Sequence, residues 1–241
     1  MAKLADKIRR TIGRIPPGRL FDFRPFVHYA DGSGLGVVIF RLVKNGTLKK
    51  IAKGVYYRPS RRKGQLREPT AEQILDFLTR RGRTILRYES GESLWYKRGY
   101  IPKKPRFVTL VGDFAPSRGH FGKLKIKIEW TDVPLLPKRI HLLQLLDILE
   151  AIKKGKWINK DAVIESVQSE ILKLDKDIKN ELVAIAIRYY SPVVKAVLAA
   201  ILRGKHRNLS RRLESSLNKQ TRFNLGISKV VLENQKRFHI S

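Results

Sequence analysis

The stretch "GSGLGVVIFRLVKNGTLKKIAKGVYYRP", residues 32–59, constrains the fold more than any other part of the chain. Leu35, Val38, Ile39 and Leu42 fall on one helical face. Ser33 is placed to cap that helix, and Asn45-Gly46 to stop it. "TLKKI" and "VYYR" then read as two short strands around the turn "AKG". Upstream, "KLADKIRRTI" sets Leu4, Ile8 and Ile12 at helical spacing, "IPPGRLF" breaks the chain, and "DFRPFV" suits a short second helix. Helix, short helix, helix and hairpin is the order a winged helix-turn-helix requires.

Charge narrows the partner. The chain has 241 residues with 51 Lys+Arg against 21 Asp+Glu, a net charge of +30. Self-repulsion on that scale costs stability unless an anion is bound, and nucleic acid is the default anion. Residues 1–63 alone carry 16 Lys/Arg and 3 acids. The exposed side of the third helix would present Ser33, Gly34, Val37, Phe40, Arg41 and Lys44, and the hairpin Lys49, Lys50 and Lys53. Small residues at a helix N-terminus let backbone N–H groups approach phosphate, and Arg41 suits either a guanine edge or a phosphate. Gly34 and Gly36 each weaken a helix by roughly 1 kcal/mol, a cost that fits a backbone meant to approach something closely.

Residues 61–69 read as a linker between a DNA-binding domain over 1–60 and a second domain over 70–241, with a helix capped at Thr70 and running to Gly82. Strands are expected at 106–112 and 123–130, the second alternating Leu124, Ile126 and Ile128 against Lys125 and Lys127. Helices are expected from about 138 onward, with Ala196, Leu198, Ala199 and Leu202 on a core face and a polar, basic tail after 205. The fold class is α/β in the mixed α+β sense, ending in a helical bundle.

Enzymatic chemistry finds little support. Zero cysteines exclude disulfides and thiolate chemistry. The five histidines, His28, His120, His141, His206 and His239, are scattered without metal-ligand spacing. "VGDFAPSRGHFG" holds Asp113, Ser117 and His120, but neither a G-x-S-x-G elbow nor a phosphate loop is present. Asp113 and Glu129 are too few for a metal-dependent transferase. Trp95, Tyr96 and Tyr100 beside Lys97 and Arg98 suit packing better than base stacking. No enzyme, cofactor or metal is expected. Nothing has the uninterrupted apolar length of a membrane helix, no secretory signal is read at the start, and a cytoplasmic protein is the expectation.

"FRLVKNGTLKKIAKGVYYRP", with Arg41-Leu42, Gly46, and Gly54 before Tyr56, resembles the recognition helix and wing of the AbiEi-type antitoxins of type IV toxin–antitoxin systems. "AEQILDFLTRRG", "GYIPKKPRFVTLVGD", "KIKIEWTD" and "LNKQTRFNLGIS" are similar to later segments of that family in the same order. The "GSGLG" start departs from members with more helical residues there. The resemblance implies a winged helix that binds and represses its own promoter DNA, and a C-terminal domain that neutralises a nucleotidyltransferase-like toxin. Arg203, Lys205, Arg207, Arg211, Arg212 and Arg222 are the candidate surface for that partner. An RNA- or ribosome-associated basic binding protein is the rival reading.

Overall fold

In the computed structural model the described residues are 2–29, 33–62, 65–218 and 220–241. The fold is mixed α+β, and the chain divides into two units, residues 1–86 with 117–127, and residues 87–116 with 128–241.

The first unit opens with α1 (Ala2–Arg14), then β1 (Leu20–Phe21), a 3₁₀ turn (Arg24–Phe26), α2 (Ser33–Lys44), β2 (Lys49–Ala52) and β3 (Val55–Tyr57). The strands lie in the order β1-β3-β2, with Leu20 opposite Tyr57 and Lys49 opposite Tyr57 on its other side. Ile8 and Ile12 of α1 pack with Phe21, Phe26, Leu35, Ile39, Leu42 and Leu48 in one buried cluster. Of the positions the helical spacing singles out, Ile8, Ile12, Leu35, Ile39 and Leu42 are in this cluster, Val38 is half-buried against it, and the side chain of Leu4 lies outside the described residues. Gly46 adopts φ +79°, and the Leu48 N–H donates to the Leu42 carbonyl at 2.9 Å, which closes α2 at the expected stop. Arg58 ties helix to sheet. Its guanidinium donates to the Gly13 and Ile15 carbonyls at 2.8 and 2.9 Å, satisfying groups that the end of α1 leaves open.

Two expectations need correction here. Residues 61–69 do not read through as a bare linker, because β4 (Ser60–Arg62) and β5 (Gln65–Arg67) pair antiparallel. Backbone ladder bonds need no apolar pattern, so the sequence shows no trace of the hairpin. The helix after it, α3 (Ala71–Thr79), carries a capping box in which the Gln73 N–H donates to Thr70 Oγ1 and the Thr70 N–H to Gln73 Oε1. It ends at Thr79, three residues earlier than expected, where Arg80 is extended and starts a short hairpin of β6 (Arg80–Arg81) and β7 (Thr84–Ile85). α3 and the later segment 117–127 belong to the first unit. The expected boundary at 61–69 therefore differs from the observed division.

The second unit contains β8 (Arg87–Ser90), α4 (Gly91–Lys97) and β9 (Val108–Gly112), with β8 and β9 antiparallel. The hairpin strands β10 (Ser117–Phe121) and β11 (Leu124–Trp130) come next, and β11 passes into the second unit after Lys127. Ile126 is buried, whereas Lys125 and Lys127 are half-covered like Leu124 and Ile128, so the expected wet face of β11 is partly covered. Five helices follow: α5 (Ile140–Ala151), α6 (Lys160–Lys173), α7 (Lys176–Tyr189), α8 (Pro192–Leu202) and α9 (Arg207–Glu214). α8 is the centre of this bundle, with Ala196, Leu198, Ala199 and Leu202 fully buried. The tail is not a polar appendage. Leu209, Leu213, Phe223, Leu225, Ile227, Leu232, Phe238 and Ile240 join the same core, and Phe223 bridges Ile240 through parallel backbone bonds. Its apolar residues are spaced too irregularly to reveal a buried face.

Candidate nucleic-acid interface

Burial of Leu35, Ile39 and Leu42 fixes the rotation of α2 and forces Val37, Phe40, Arg41 and Lys44 outward. Their spacing, i, i+3, i+4 and i+7, makes them one continuous stripe. Val37 is 51% exposed and Phe40 68%. Gly36 lies beside them, and a Cβ built on it would meet open space. Gly34 is half-buried. Ser33 is the first residue of the helix, and its side chain, with the cap expected of it, lies outside the described residues.

The hairpin carries the other candidates. Lys49 and Lys50 are exposed on β2, and Lys53 sits in the turn where Gly54 takes φ +73°. The pairing shifts between Lys50 and Ala52, a bulge that twists the strand. The charged groups of Arg41, Lys44, Lys49, Lys50 and Lys53 have no hydrogen-bond or ion-pair partner among the described residues. Sequence reasoning missed one neighbour. The Gly122 N–H donates to the Ile51 carbonyl at 3.1 Å, and a Cβ on Gly122 would lie 3.4 Å from Ile51. The β10–β11 turn thus docks on the outer strand of the wing and brings exposed Lys123 beside it. Gly122 at φ +57° in "FGK" is a turn signal, but nothing local says what the turn touches.

The expected partner surface on the second unit is less uniform. Lys205, Arg207 and Arg211 are exposed, with Arg207 and Arg211 one turn apart on α9. Arg212 donates to Asn180 Oδ1 at 3.1 Å, and Arg222 meets the His239 ring nitrogen Nδ1. Arg203 is half-buried, with one guanidinium nitrogen enclosed and unpartnered among the described residues.

Other candidate groups serve packing. Trp95 lies against Trp157 at 4.8 Å, the Tyr100 hydroxyl bonds Ser166, Arg98 pairs with Glu170 at 2.7 Å, and Lys97 with Glu89 at 2.6 Å. Lys179 is 5% exposed and donates to the Leu172 and Leu174 carbonyls at the end of α6, acting as its cap. Asp147 accepts hydrogen bonds from Tyr88 at 2.9 Å, Ser90 at 2.5 Å and Tyr190 at 2.8 Å. Burial raises its pKa above the ordinary 3.8, and the three hydroxyls oppose that rise. Burial also lowers His206, and the charges of Lys179 and Lys205 act in the same sense. Among the described residues no group of three His, Cys, Asp or Glu could hold a metal ion, and no helix is long and apolar enough to cross a membrane.

No curated protein matches this sequence. Among solved structures, the chain is similar to the Rv2827c protein of Mycobacterium tuberculosis at 11% identity and TM-score 0.46, over 94% of this chain and 86% of that one. The model of DUF6088, a family of unknown function, matches residues 7–183, about three quarters of the sequence, and the chain belongs to that family.

Proposed function

We propose that the first unit is a duplex-DNA reader that represses its own promoter, and that the whole chain is the antitoxin of a type IV system. In this reading α2 enters the major groove, where Arg41 meets a base edge or phosphate and Phe40 a thymine methyl. Lys44, Lys49, Lys50 and Lys53 neutralise backbone charge and supply most of the affinity. The observation that carries this reading is the α2 stripe, where cations without partners flank exposed apolar groups opposite a buried face. Leaving Val37 and Phe40 partly in water forgoes burial of roughly 1–2 kcal/mol each, which a groove-filling role accounts for. The second unit, with Lys205, Arg207 and Arg211 outward, is the part assigned to a nucleotidyltransferase-like toxin.

The test is a titration of the full chain against its own upstream DNA, an unrelated duplex and a structured RNA at two salt concentrations. The reading expects a preference for the upstream fragment that survives the higher salt. Equal, salt-sensitive binding to both duplexes would refute site-specific repression, and preference for the RNA would establish the rival reading. The toxin half is tested separately by asking whether a nucleotidyltransferase-like protein is encoded beside this chain and whether the chain rescues cells expressing it.

A further inference from the structure

On the opposite edge of the winged sheet from β2, the first unit contains a cleft of about 1080 Å³ that the α2 interface does not use. Its walls come from the end of α1, the segment leading into β1, β1 itself, α3 and the β6–β7 turn. With sheet order β1-β3-β2, the cleft strand and the wing cations stand two strand spacings apart, roughly 9–10 Å. We propose that this cleft is a nucleotide-binding site, with Arg14, Arg19 and Arg81 holding phosphate and the rings of Phe77, Pro16 and Pro17 receiving the base.

Three features carry the assignment. First, the arginines are set by firm local structure. The Arg19 N–H donates to the Pro16 carbonyl at 3.1 Å with Gly18 at φ +81°, a tight turn with Pro at its second position and Gly at its third. The Gly18 N–H in turn donates to the Arg58 carbonyl at 2.8 Å, which pins that turn to the chain after β3. Arg81 sits in the β6–β7 pair, where it faces Thr84, with Gly82 at φ +58° in the turn. Arg14 is the last residue of α1.

Second, the charge is unbalanced in a particular way. The two acids of the cleft already have partners, Asp22 with Arg24 at 2.5 Å and Asp76 with Arg80 at 3.9 Å. The guanidinium groups of Arg14, Arg19 and Arg81 belong to exposed residues and have no hydrogen-bond or ion-pair partner among the described residues. Planar guanidinium forks suit the oxygens of a phosphate or a polyphosphate. Third, Pro16, Pro17 and Phe77 give part of the remaining wall an apolar surface, with Phe77 half-buried and already lying under the Arg24 guanidinium at 5.8 Å. A bare anion has no use for such a wall, whereas a base stacks on it. The ligand is either a free nucleotide or a nucleotide unit of a single strand.

The proposal stands or falls by calorimetric titration of the full chain, at about 0.15 M salt, where exposed charges are substantially screened. The probes are pyrophosphate, ATP and a short oligothymidylate. ATP should bind one to one, and more tightly than pyrophosphate. The double variant Arg19→Ala/Arg81→Ala should lose about tenfold or more in ATP affinity, equivalent to 1.4 kcal/mol or more. Arg41→Ala, on the α2 stripe, should bind ATP like the wild type. Tighter binding of the oligothymidylate than of ATP supports the site and names a single strand as its source; the reverse order supports it and names the free nucleotide. ATP affinity unchanged in the double variant, equal loss in Arg41→Ala, or ATP no tighter than pyrophosphate would each overturn the assignment. Circular dichroism melts of the variants, all changed at exposed positions, confirm that folding is not what is being read. This result is independent of promoter binding, which the upstream-DNA titration measures.

Discussion

Helices α2 and α8 are both rich in aliphatic residues, yet they treat them oppositely. α8 buries Val194 and every residue from Ala196 to Leu202, because α5, α7, α9 and the C-terminal segment enclose it on all sides. α2 buries only one stripe and leaves Val37 and Phe40 in water beside Arg41. The same contrast runs through the charges. In the second unit, Arg98, Arg139 and Lys97 are matched to Glu170, Glu181 and Glu89. In the first, the cations of α2 and the wing have no partner among the described residues. A helix whose apolar groups are enclosed explains itself by stability, whereas one that keeps them outside beside spare charge points to a partner.

That contrast can be broken in several ways, the largest effect coming from the core. Leu198→Ala, in the fully buried side of α8, should cost roughly 3–5 kcal/mol of unfolding free energy. Phe40→Ala should cost within about 0.5 kcal/mol, because its ring is mostly solvated. Denaturant unfolding of both variants checks this, and a large loss from Phe40→Ala would make α2 a core helix after all.

Next in size is Arg41→Ala, expected to weaken upstream-DNA binding by about 1–3 kcal/mol and to relax sequence preference if Arg41 reads a base. Lys49→Ala, Lys50→Ala and Lys123→Ala should weaken all duplexes alike, each reducing the log-log salt slope by about 0.9. Anisotropy titrations over a salt series separate these cases. An unchanged slope for Lys123→Ala would leave the β10–β11 turn as cover for the sheet edge only.

Smaller still is Gly36→Ala. With open space at the Cβ, alanine should stabilise the unit by about 0.5–1 kcal/mol. Upstream-DNA affinity should fall if a phosphate backbone approaches that glycine, so melting and binding should move in opposite directions.

The second unit offers a test by pH. Because burial raises the Asp147 pKa in the folded state above 3.8, the folded form binds that proton more readily than the unfolded chain. Its contribution therefore grows as pH falls from neutral through the raised value, and levels off below the ordinary one. Unfolding curves over a pH series from 7 down to about 4 should show the wild type gaining on Asp147→Asn as the pH falls. A difference independent of pH would mean that the carboxyl is not perturbed.

Much of this molecule could be read before its structure. The stripe of Leu35, Ile39 and Leu42, the stop at Asn45-Gly46 and the cap at Thr70 are local signals, because side-chain spacing and turn chemistry act within a few residues. The outward stripe of α2 follows from the buried one. Less legible were β4–β5, α4 and the packed tail, whose short or irregular segments owe their shape to what they meet rather than to their own periodicity.

By itself, then, the sequence determined the charge, the winged order of elements and which face of α2 turns inward, since each depends on residue type and near-neighbour spacing. Only the tertiary structure decided that Gly122 docks on Ile51, that residues 117–127 belong with the first unit, and that Arg14, Arg19 and Arg81 converge on one cleft. Contacts between segments far apart in the chain depend on how whole elements fit together, and no local pattern encodes that.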